Sequence, residues 1–444
     1  MAPYAYITYV QMRQTLANRL YDSSMQFWSD TELKSIVLET LRTWNALTSF
    51  WRGDFTFQTQ VNETWYDLTS ISEMPNTLRP LTLLDSNLYP DIEFALLEPA
   101  LGINPWPGST QFSSADLMAA LQQRRDEILS VAACYISITD VSATPGRIIL
   151  PDATIDVRRI AYFPAVGLPS MLWQDDTWAE QSYQPNYPQL PSGTPLTYLL
   201  STQPPLSFDT DRPPGFAGNY EVLSINAGPL VSLSTTSLIV PDDWTHLIKW
   251  GVLSDLLSRD SNAADPLRAA YCEQRYRMGL ALLSTSPALL ALRIGNKPLQ
   301  IDSVHAADLY NVGWQALAPG TPKSAYHIGL NLIGVSPVPD SGNHSLTATV
   351  VQNAPLPPVD NSFVQLPRED LEAALDYGEH IAKFKCGGKE FTDTMPLLQR
   401  FLKQAQLYNS KLSEMGEYTS ALYGLSQREE QMNPRTIPTA EGAA

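Results

Sequence analysis

The class of fold follows from residues 240–279, which read VPDDWTHLIKWGVLSDLLSRDSNAADPLRAAYCEQRYRMG. The proline near the start of this stretch is suited to the first turn of a helix, because its missing amide hydrogen is not needed there. Behind it, Trp244, Ile248 and Gly251 recur at helical spacing. A polar turn then leads into a second helix over about 265–283. The stretch therefore predicts a helical hairpin.

Toward the N-terminus of this hairpin, the sequence has a strand-like pattern. Residues 147–163, RIILPDATIDVRRIAYF, are rich in β-branched and aromatic residues. A stretch dense in proline and glycine follows over 164–195, and further strand-like runs lie between 196 and 225. The dense stretch is too long for an ordinary connection, so it predicts either an extended arm or a loop that faces a partner.

The first part of the chain, residues 1–146, is predicted to be a small helical bundle. The run SDTE at 29–32 has the pattern of a capping box, in which the serine accepts a hydrogen bond from the glutamate amide and the glutamate side chain reaches back. Apolar residues at helical spacing follow as far as Trp44. A later helix carries Arg124 and Arg125, which we expect on its solvated side and not in a phosphate site.

The hairpin pattern recurs later in the chain. Three pairs of short runs correspond in position and character: Val240-Pro241 with Leu366-Pro367, Trp250-Gly251 with Tyr377-Gly378, and Gln274-Arg275-Tyr276 with Gln399-Arg400-Phe401. Each copy is expected to be strands followed by a helical hairpin. We therefore predict an α+β fold with long Pro-rich arms and four parts: a helical bundle over 1–146, a β arm plus helical hairpin over 147–290, a second, duplicated β plus hairpin module over 291–430, and a disordered tail over 431–444.

Composition limits the class of protein. The chain has 444 residues and a net charge of −17, from 46 acidic and 29 basic residues. A nucleic-acid binder needs a basic surface, which this composition does not supply. No apolar run is long enough for a transmembrane helix, and the N-terminal residues lack the pattern of a signal peptide. The three cysteines lie far apart, so we expect reduced thiols and neither a disulfide framework nor a zinc site.

The sequence lacks the motifs that usually carry catalysis. Its five histidines form no HExxH pattern or Cys/His ligand pair, and no GxSxG, GxxxxGK or GxGxxG run occurs. Asp242 and Asp243 are adjacent carboxylates at a helix start, where capping explains them. We therefore predict a protein that is not an enzyme and uses no cofactor or metal. A hydrolase without a recognisable motif stays open, and it requires an acidic residue with a raised pKa in a cleft.

The aromatic residues fall into two groups. One group is expected in the core of the helical parts, because its members lie at helical spacing: Trp44, Trp244, Trp250 and Tyr276. The other group is expected at interfaces, because Trp in a Pro- and Gly-rich loop is a typical anchor for a protein partner: Trp106, Trp173, Trp178 and Trp314. The same loop residues can instead pack back on their own domain, or stack on sugars.

Three stretches resemble proteins from the structural gene clusters of tailed bacteriophages. They are residues 9–52, residues 194–214 (TPLTYLLSTQPPLSFDTDRPP) and residues 240–279, quoted above. The resemblance is to head-to-tail connector proteins (portal adaptors, or neck proteins), in which a helical bundle carries extended β arms and docks beneath the portal ring. It covers residues 9–290 best, so this chain looks like an enlarged member.

The resemblance implies a structural protein of the virion neck, at the tail junction, made in the host cytoplasm. Expected partners are the portal protein, the tail tube, nozzle or other neck proteins, and further copies of itself in a ring of about twelve. Arms over 164–235 and 291–365 would make contacts, and the ring would line an acidic channel that double-stranded DNA passes without specific binding. No membrane contact is expected. Alternatives are another collar or tail component, or an accessory virion protein that binds glycans or a receptor through Trp173, Trp178 and Trp314.

Overall fold

The computed structural model describes residues 6–69, 71, 83–97, 111–176, 180, 182–183, 186–201, 205–232, 234–259, 262–285, 289–310, 313–340 and 344–408. Over these ranges the chain mixes helices with several sheets, so the predicted α+β class is confirmed. The tail predicted over 431–444 lies outside the described residues. In the described ranges, none of the helices combines the length and the apolar character needed to cross a membrane.

The helices begin where the sequence supplies caps. The described residues form these α-helices: α1 (Tyr9–Arg19), α2 (Asp30–Thr48), α3 (Asp85–Leu96), α4 (Ser114–Ala132), α5 (His246–Leu257), α6 (Pro266–Thr285), α7 (Val304–Tyr310), α8 (Arg368–Phe384), α9 (Gly388–Thr392) and α10 (Met395–Gln406). The Ser29 hydroxyl accepts from the Glu32 amide at 3.2 Å, as the capping pattern predicts. The Glu32 side chain does not reach back, because it pairs with Lys385 at 2.6 Å.

Strands form three hydrogen-bonded sheets. The strands are β1 (Arg52–Gln58), β2 (Trp65–Asp67), β3 (Ser137–Ser142), β4 (Ile148–Ile149), β5 (Thr154–Pro164), β6 (Ser170–Asp175), β7 (Thr197–Ser201), β8 (Ser207–Thr210), β9 (Gly218–Asn226), β10 (Leu289–Ile294), β11 (Lys297–Pro298), β12 (Gln300–Ser303), β13 (Ser324–Ile328), β14 (Leu332–Ser336) and β15 (Ser345–Val351). The largest sheet has the order β3-β9-β5-β6-β7-β8-β4. The other two have the orders β1-β15-β10-β11 and β12-β13-β14-β2.

Seven of the eight strands in the two smaller sheets follow the strand order of the large sheet, whereas β11, which pairs with β10 at the edge of its sheet, has no counterpart. Reading along both, β1 stands in the place of β3, β15 of β9, β10 of β5, β12 of β6, β13 of β7, β14 of β8 and β2 of β4. Strand directions agree as well, since β6–β7 and β12–β13 are parallel pairs in otherwise antiparallel surroundings. The pairing register also agrees, because the isolated parallel bridge Gly193–Pro214 beside β7 recurs as Gly320–Pro339 beside β13.

Helices and turns around the two strand systems correspond in the same way. Ser49 ends α2 before β1 and has a left-handed backbone conformation with φ 49°. Ala133 ends α4 before β3 and has the same conformation, with φ 48°. A bridge from Thr8 to Phe363 precedes α1, and a bridge from Leu84 to Ser237 precedes α3. We call residues 83–285 the continuous unit. Residues 6–69 together with 289–408 form the split unit.

The domain boundaries predicted at 146 and 290 need correction. The N-terminal strands β1 and β2 pair with β15 and β14, from the far end of the chain. One hydrophobic cluster contains Leu41 of α2, Ile128 of α4, Leu253 of α5 and Phe401 of α10, so helices from all three predicted segments share a core. The physical reason is that the apolar stripes of α2 and α4 find their covering helices, α8 and α5, only later in the chain.

Much of the two Pro-rich stretches forms strands of the sheets. Within 164–235, strands β6 to β9 pair with one another and with β5, and within 291–365 the strands β12 to β15 pair similarly. Alternating apolar residues such as Tyr198 and Phe208 pack in a core beneath the large sheet. That packing supplies the burial which an extended arm would lack. The described residues of these two ranges therefore do not form free arms.

Candidate assembly surface

The aromatic residues predicted at interfaces occupy different environments. Trp173 lies on β6 and is 47% exposed. Trp314 is only 1% exposed, so its predicted place on the surface is wrong. Its indole nitrogen donates to Asp308 at 3.0 Å, and its ring packs edge-on against Trp65 with centroids 5.6 Å apart. Trp106 and Trp178 lie outside the described residues and stay predictions.

The aromatic residues predicted in the helical core are all buried. Trp44, Trp244, Trp250 and Tyr276 belong to the single large cluster that joins the helices. The guanidinium of Arg275 lies 4.0 Å from the ring centroid of Trp250, which makes this a close cation–π contact inside the protein. A charged group at such a depth shows that the helical core is not purely apolar.

The buried histidines act as neutral hydrogen-bonding groups. Burial lowers the pKa of His246 to about 3, and it lowers the pKa of His380 well below its usual value. The ring of His380 bonds to the Tyr271 hydroxyl at 2.6 Å and to the Thr394 hydroxyl at 2.8 Å. Among the described residues, no group of three or more His, Cys, Asp and Glu side chains is placed to hold a metal ion.

Two carboxylates with raised pKa values line a small internal space. Burial raises the pKa of Glu32 to about 7 and raises that of Asp91 as well. Lys249 lines the same space, whose volume is about 30 Å³. That volume accommodates a water molecule but no substrate. These acids therefore do not supply the open cleft that the hydrolase alternative requires.

The junction between the two units contains several buried polar and charged groups. On the helical side, α5 of the continuous unit lies against α2 of the split unit, where Lys249 and Glu39 form an ion pair and both are buried. Beside it, the Ser35 hydroxyl of α2 donates to Asp91 of α3. The Lys249 ammonium holds the pKa of Glu39 below its usual value despite complete burial. Both charges are therefore retained at the contact.

Asp242 and Asp243 belong to this junction, which corrects their predicted role as helix caps. Asp243 accepts from the Asn45 side chain of α2 and from the Ala354 amide at 3.1 Å. Burial raises the pKa of Asp243 to about 7 and that of Asp242 to about 6. Neither side chain caps the turn it begins. The bonds of Asp243 reach the other unit, so this side chain helps to fix how the units meet.

Helix α6 adds a second row of contacts to the helical side. Arg275 of α6 donates to the hydroxyl groups of Tyr377 of α8 and, at 3.0 Å, of Tyr271. Arg268 donates to the Phe384 carbonyl at 3.2 Å. The two arginines thus connect α6 of the continuous unit to α8 of the split unit.

A second buried ion-pair cluster joins the sheets. Arg159 of β5 donates to both carboxylate oxygens of Asp308, at 2.8 and 3.1 Å, and to Gln315 at 2.7 Å. The same guanidinium donates to Glu221 at 3.0 Å, and Glu221 also accepts from the Trp65 indole at 2.9 Å. Since Arg159 and Glu221 belong to the continuous unit and the other three to the split unit, this cluster links the two at the sheets.

The two units meet through unlike faces. The continuous unit contributes α3, α5 and α6, whereas the split unit contributes α2, α8 and the inner face of α10. In the correspondence of the units, α2 matches α4, and α6 matches α10. The junction thus covers α2 but does not cover its counterpart α4. It also covers the outer face of α6 but does not cover the outer face of α10. Contacts of this kind are heterologous, and they leave one complementary face free on each unit.

Two ion pairs at corresponding positions of the two units differ in burial, as the covered face differs from the free face. At the start of α2, Glu32 pairs with Lys385 just after α8, and both side chains are buried. At the start of α4, Asp116 pairs with Arg259 just after α5, and both are exposed. Each of these two ion pairs lies within one unit. Its burial in one unit alone reflects the neighbour that the other unit lacks.

Comparison of the sequence with protein-family models and with curated proteins finds no match. The case for a function therefore rests on the junction and on the faces it leaves free. Sequence reasoning did not find Arg159, Lys249 or Asp308, because a single charged residue in a mixed pattern is usually solvated. Arg124 and Arg125 were likewise expected on the solvated side, yet both are buried; Arg124 pairs with Asp255 and Arg125 donates to the Pro229 carbonyl at 2.6 Å.

Proposed function

We propose that this protein is a non-enzymatic structural protein of a tailed-phage virion, a ring-forming connector that joins the portal to the tail. The observation that carries the proposal is the heterologous packing of two units with the same strand order. Contacts between unlike faces repeat from one unit to the next and form a closed ring when the rotation between units closes, and an open filament when it does not, whereas contacts between like faces stop at a dimer. A ring is the form that a portal adaptor needs.

We propose further that the two units are duplicated modules, one nested inside the other. The matching strand order and register support this, as do the left-handed residues that end α2 and α4. The continuous unit would have entered the split unit between β2 and β10. The strands within the Pro-rich segments then belong to the sheets of each module.

Charge supports the proposed relation to DNA. A chain with a net charge of −17 gives a strongly anionic ring, because every copy adds the same charge. Anionic walls repel the phosphate backbone, so DNA can pass without being held. The proposed partners remain the portal protein on one side and the tail tube, nozzle or other neck proteins on the other, with the virion neck as the location.

The structure gives less support to the glycan-binding alternative than the sequence does. Of its three Trp residues, Trp314 is enclosed between Trp65 and Tyr326, so no sugar can stack on it. Trp173 stays available as an exposed platform, and Trp178 lies outside the described residues.

Mixing the purified full chain with portal rings of the same virion tests the proposed function. We expect a complex that elutes earlier than either component on gel filtration and shows an added ring on one face of the portal by negative-stain microscopy. Matrix-bound glycans, as a parallel probe, should retain none of the protein. Retention on glycans together with failure to bind portal rings would overturn the connector proposal in favour of an accessory binding protein.

A further inference from the structure

The free faces of the two units repeat the positions that form the helical junction. On α6 the stripe that meets the split unit is Tyr271, Arg275, Met278 and Leu282. The matching stripe at α10, with the same spacing, is Pro396, Arg400, Lys403 and Leu407. Tyr271, Arg275 and Leu282 are buried at the junction, whereas Arg400 is 64% exposed and Leu407 is 75% exposed. The α10 stripe thus has the positions of a contact surface without the contact.

The receiving face is repeated in the same way. In the split unit, Glu39, Thr43 and Leu47 of α2 are buried where the continuous unit covers them. The corresponding positions on α4 of the continuous unit are Gln123, Glu127 and Val131. Gln123 is exposed, Glu127 is half-buried, and Val131 is 51% exposed. The junction also fixes which ends meet, because Leu47 and Leu282 line one cavity at the C-terminal ends of α2 and α6.

The exposed charges on the two free faces already have partners within the chain. Arg400 of the α10 stripe pairs with Asp376, and Glu127 of α4 pairs with Arg124 and Arg277. Surface ion pairs of this kind contribute little and exchange readily, so they do not block an approach of Arg400 to Glu127. The repeated positions of the two stripes, and not their net charge, therefore specify a second copy as the occupant.

We propose that α10 of one chain docks on α4 of a second copy of the same chain, in the arrangement by which α6 already docks on α2 within the chain. This inference rests on the proposed ring function and specifies its interface. Arg400 then lies beside Glu127, and Leu407 packs on Val131. Each chain supplies two successive positions of the ring, so a ring of about twelve positions contains about six chains and not the twelve copies expected from the sequence.

Engineered disulfides test the docking directly in the full-length protein. In a Cys386→Ser background, which removes the half-exposed native thiol, Val131→Cys and Leu407→Cys are introduced together. Oxidation should produce a ladder of covalently linked chains on denaturing gels, because the two positions meet only between copies. The matched control carries Val131→Cys with Leu168→Cys, an exposed position in the turn between β5 and β6, and should give no ladder.

Charge substitution at the same contact provides a second readout. Val131→Asp or Leu407→Lys alone should weaken self-association by about tenfold or more, and the two together should restore it through an opposite pair. Both side chains are exposed in the single chain, so far-UV circular dichroism and the Tm should not change. Self-association is followed by light scattering and sedimentation velocity across a concentration series.

The outcomes separate this inference from the proposed function. A ladder with rescue by the charge pair supports the docking, even if the protein then fails to join portal rings. Rings that form without a ladder, and that neither single variant weakens, overturn the docking and leave the ring-forming role standing. A chain that stays monomeric at every concentration and gives no ladder overturns both the docking and intrinsic ring formation.

Discussion

Replacing Arg159 by methionine removes the centre of the buried cluster that joins the sheets of the two units. Its guanidinium makes two hydrogen bonds to Asp308, one to Glu221 and one to Gln315, all at 3.1 Å or less. The Asp308 side chain is almost fully buried, and among the described side chains named here it keeps the Trp314 indole as a donor after the change. A buried carboxylate that loses its counterion destabilises a protein strongly.

The expected loss for Arg159→Met is about 3–5 kcal/mol in the free energy of unfolding. Arg159→Met combined with Asp308→Asn should lose only about 1–2 kcal/mol, because the neutral amide oxygen still accepts from Trp314 and no isolated charge is buried. The coupling energy between the two sites is then about 2 kcal/mol or more. Urea unfolding, followed by Trp fluorescence and by far-UV circular dichroism, measures Arg159→Met, Asp308→Asn and the double variant.

Arg277→Met is the matched control, since Arg277 pairs with Glu273 at 2.6 Å and with Glu127 at 3.0 Å on the surface. We expect a loss below about 1 kcal/mol, which added salt further reduces. The loss from Arg159→Met should be nearly independent of salt. The reasoning fails if Arg159→Met costs no more than Arg277→Met, or if the double variant loses the sum of the two single losses.

Two further predictions concern buried groups. Burial raises the folded-state pKa of Asp243 to about 7, above an unfolded value near 3.8, so the folded state binds the extra proton and this group lowers stability as pH rises between these values. Asp243→Asn should remove this contribution to the slope and so gain about 2 kcal/mol relative to wild type from pH 5 to pH 7 in urea titrations, with exposed Asp152→Asn as the control. Trp314→Ala should cost about 3–5 kcal/mol by opening a core cavity, whereas Trp173→Ala should stay within about 0.5 kcal/mol, and equal losses for both would contradict their assigned burial.

Local features of the helices could be predicted from the sequence. The hairpin of α5 and α6 follows from a proline, a regular apolar spacing and a polar turn, which are all short-range signals. Ser29 caps α2 because a hydroxyl three residues before a free amide suffices. The pairing of β1 with β15 could not be predicted, since the strands lie almost at opposite ends of the chain and their registers carry no local signal.

Fewer features of the candidate site than of the fold could be predicted from the sequence. Arg275 and Arg400 stood out only as matching positions of a repeat, with nothing to show that one is buried and the other exposed. That difference depends on which face a neighbouring unit covers. Trp314 illustrates the opposite error, because a Trp in a Gly- and Pro-rich context indicates a surface anchor until its partners Trp65 and Tyr326 are known.

The central claim, that the chain forms a ring from two like units per copy, is tested most directly by combining two measurements on the same assembled species. Light scattering gives its mass and therefore the number of chains, and averaged electron micrographs give the number of repeating densities around the ring. We expect closed rings in which the number of repeating densities is twice the number of chains. Equal numbers, or assemblies that stop at a dimer, would contradict it.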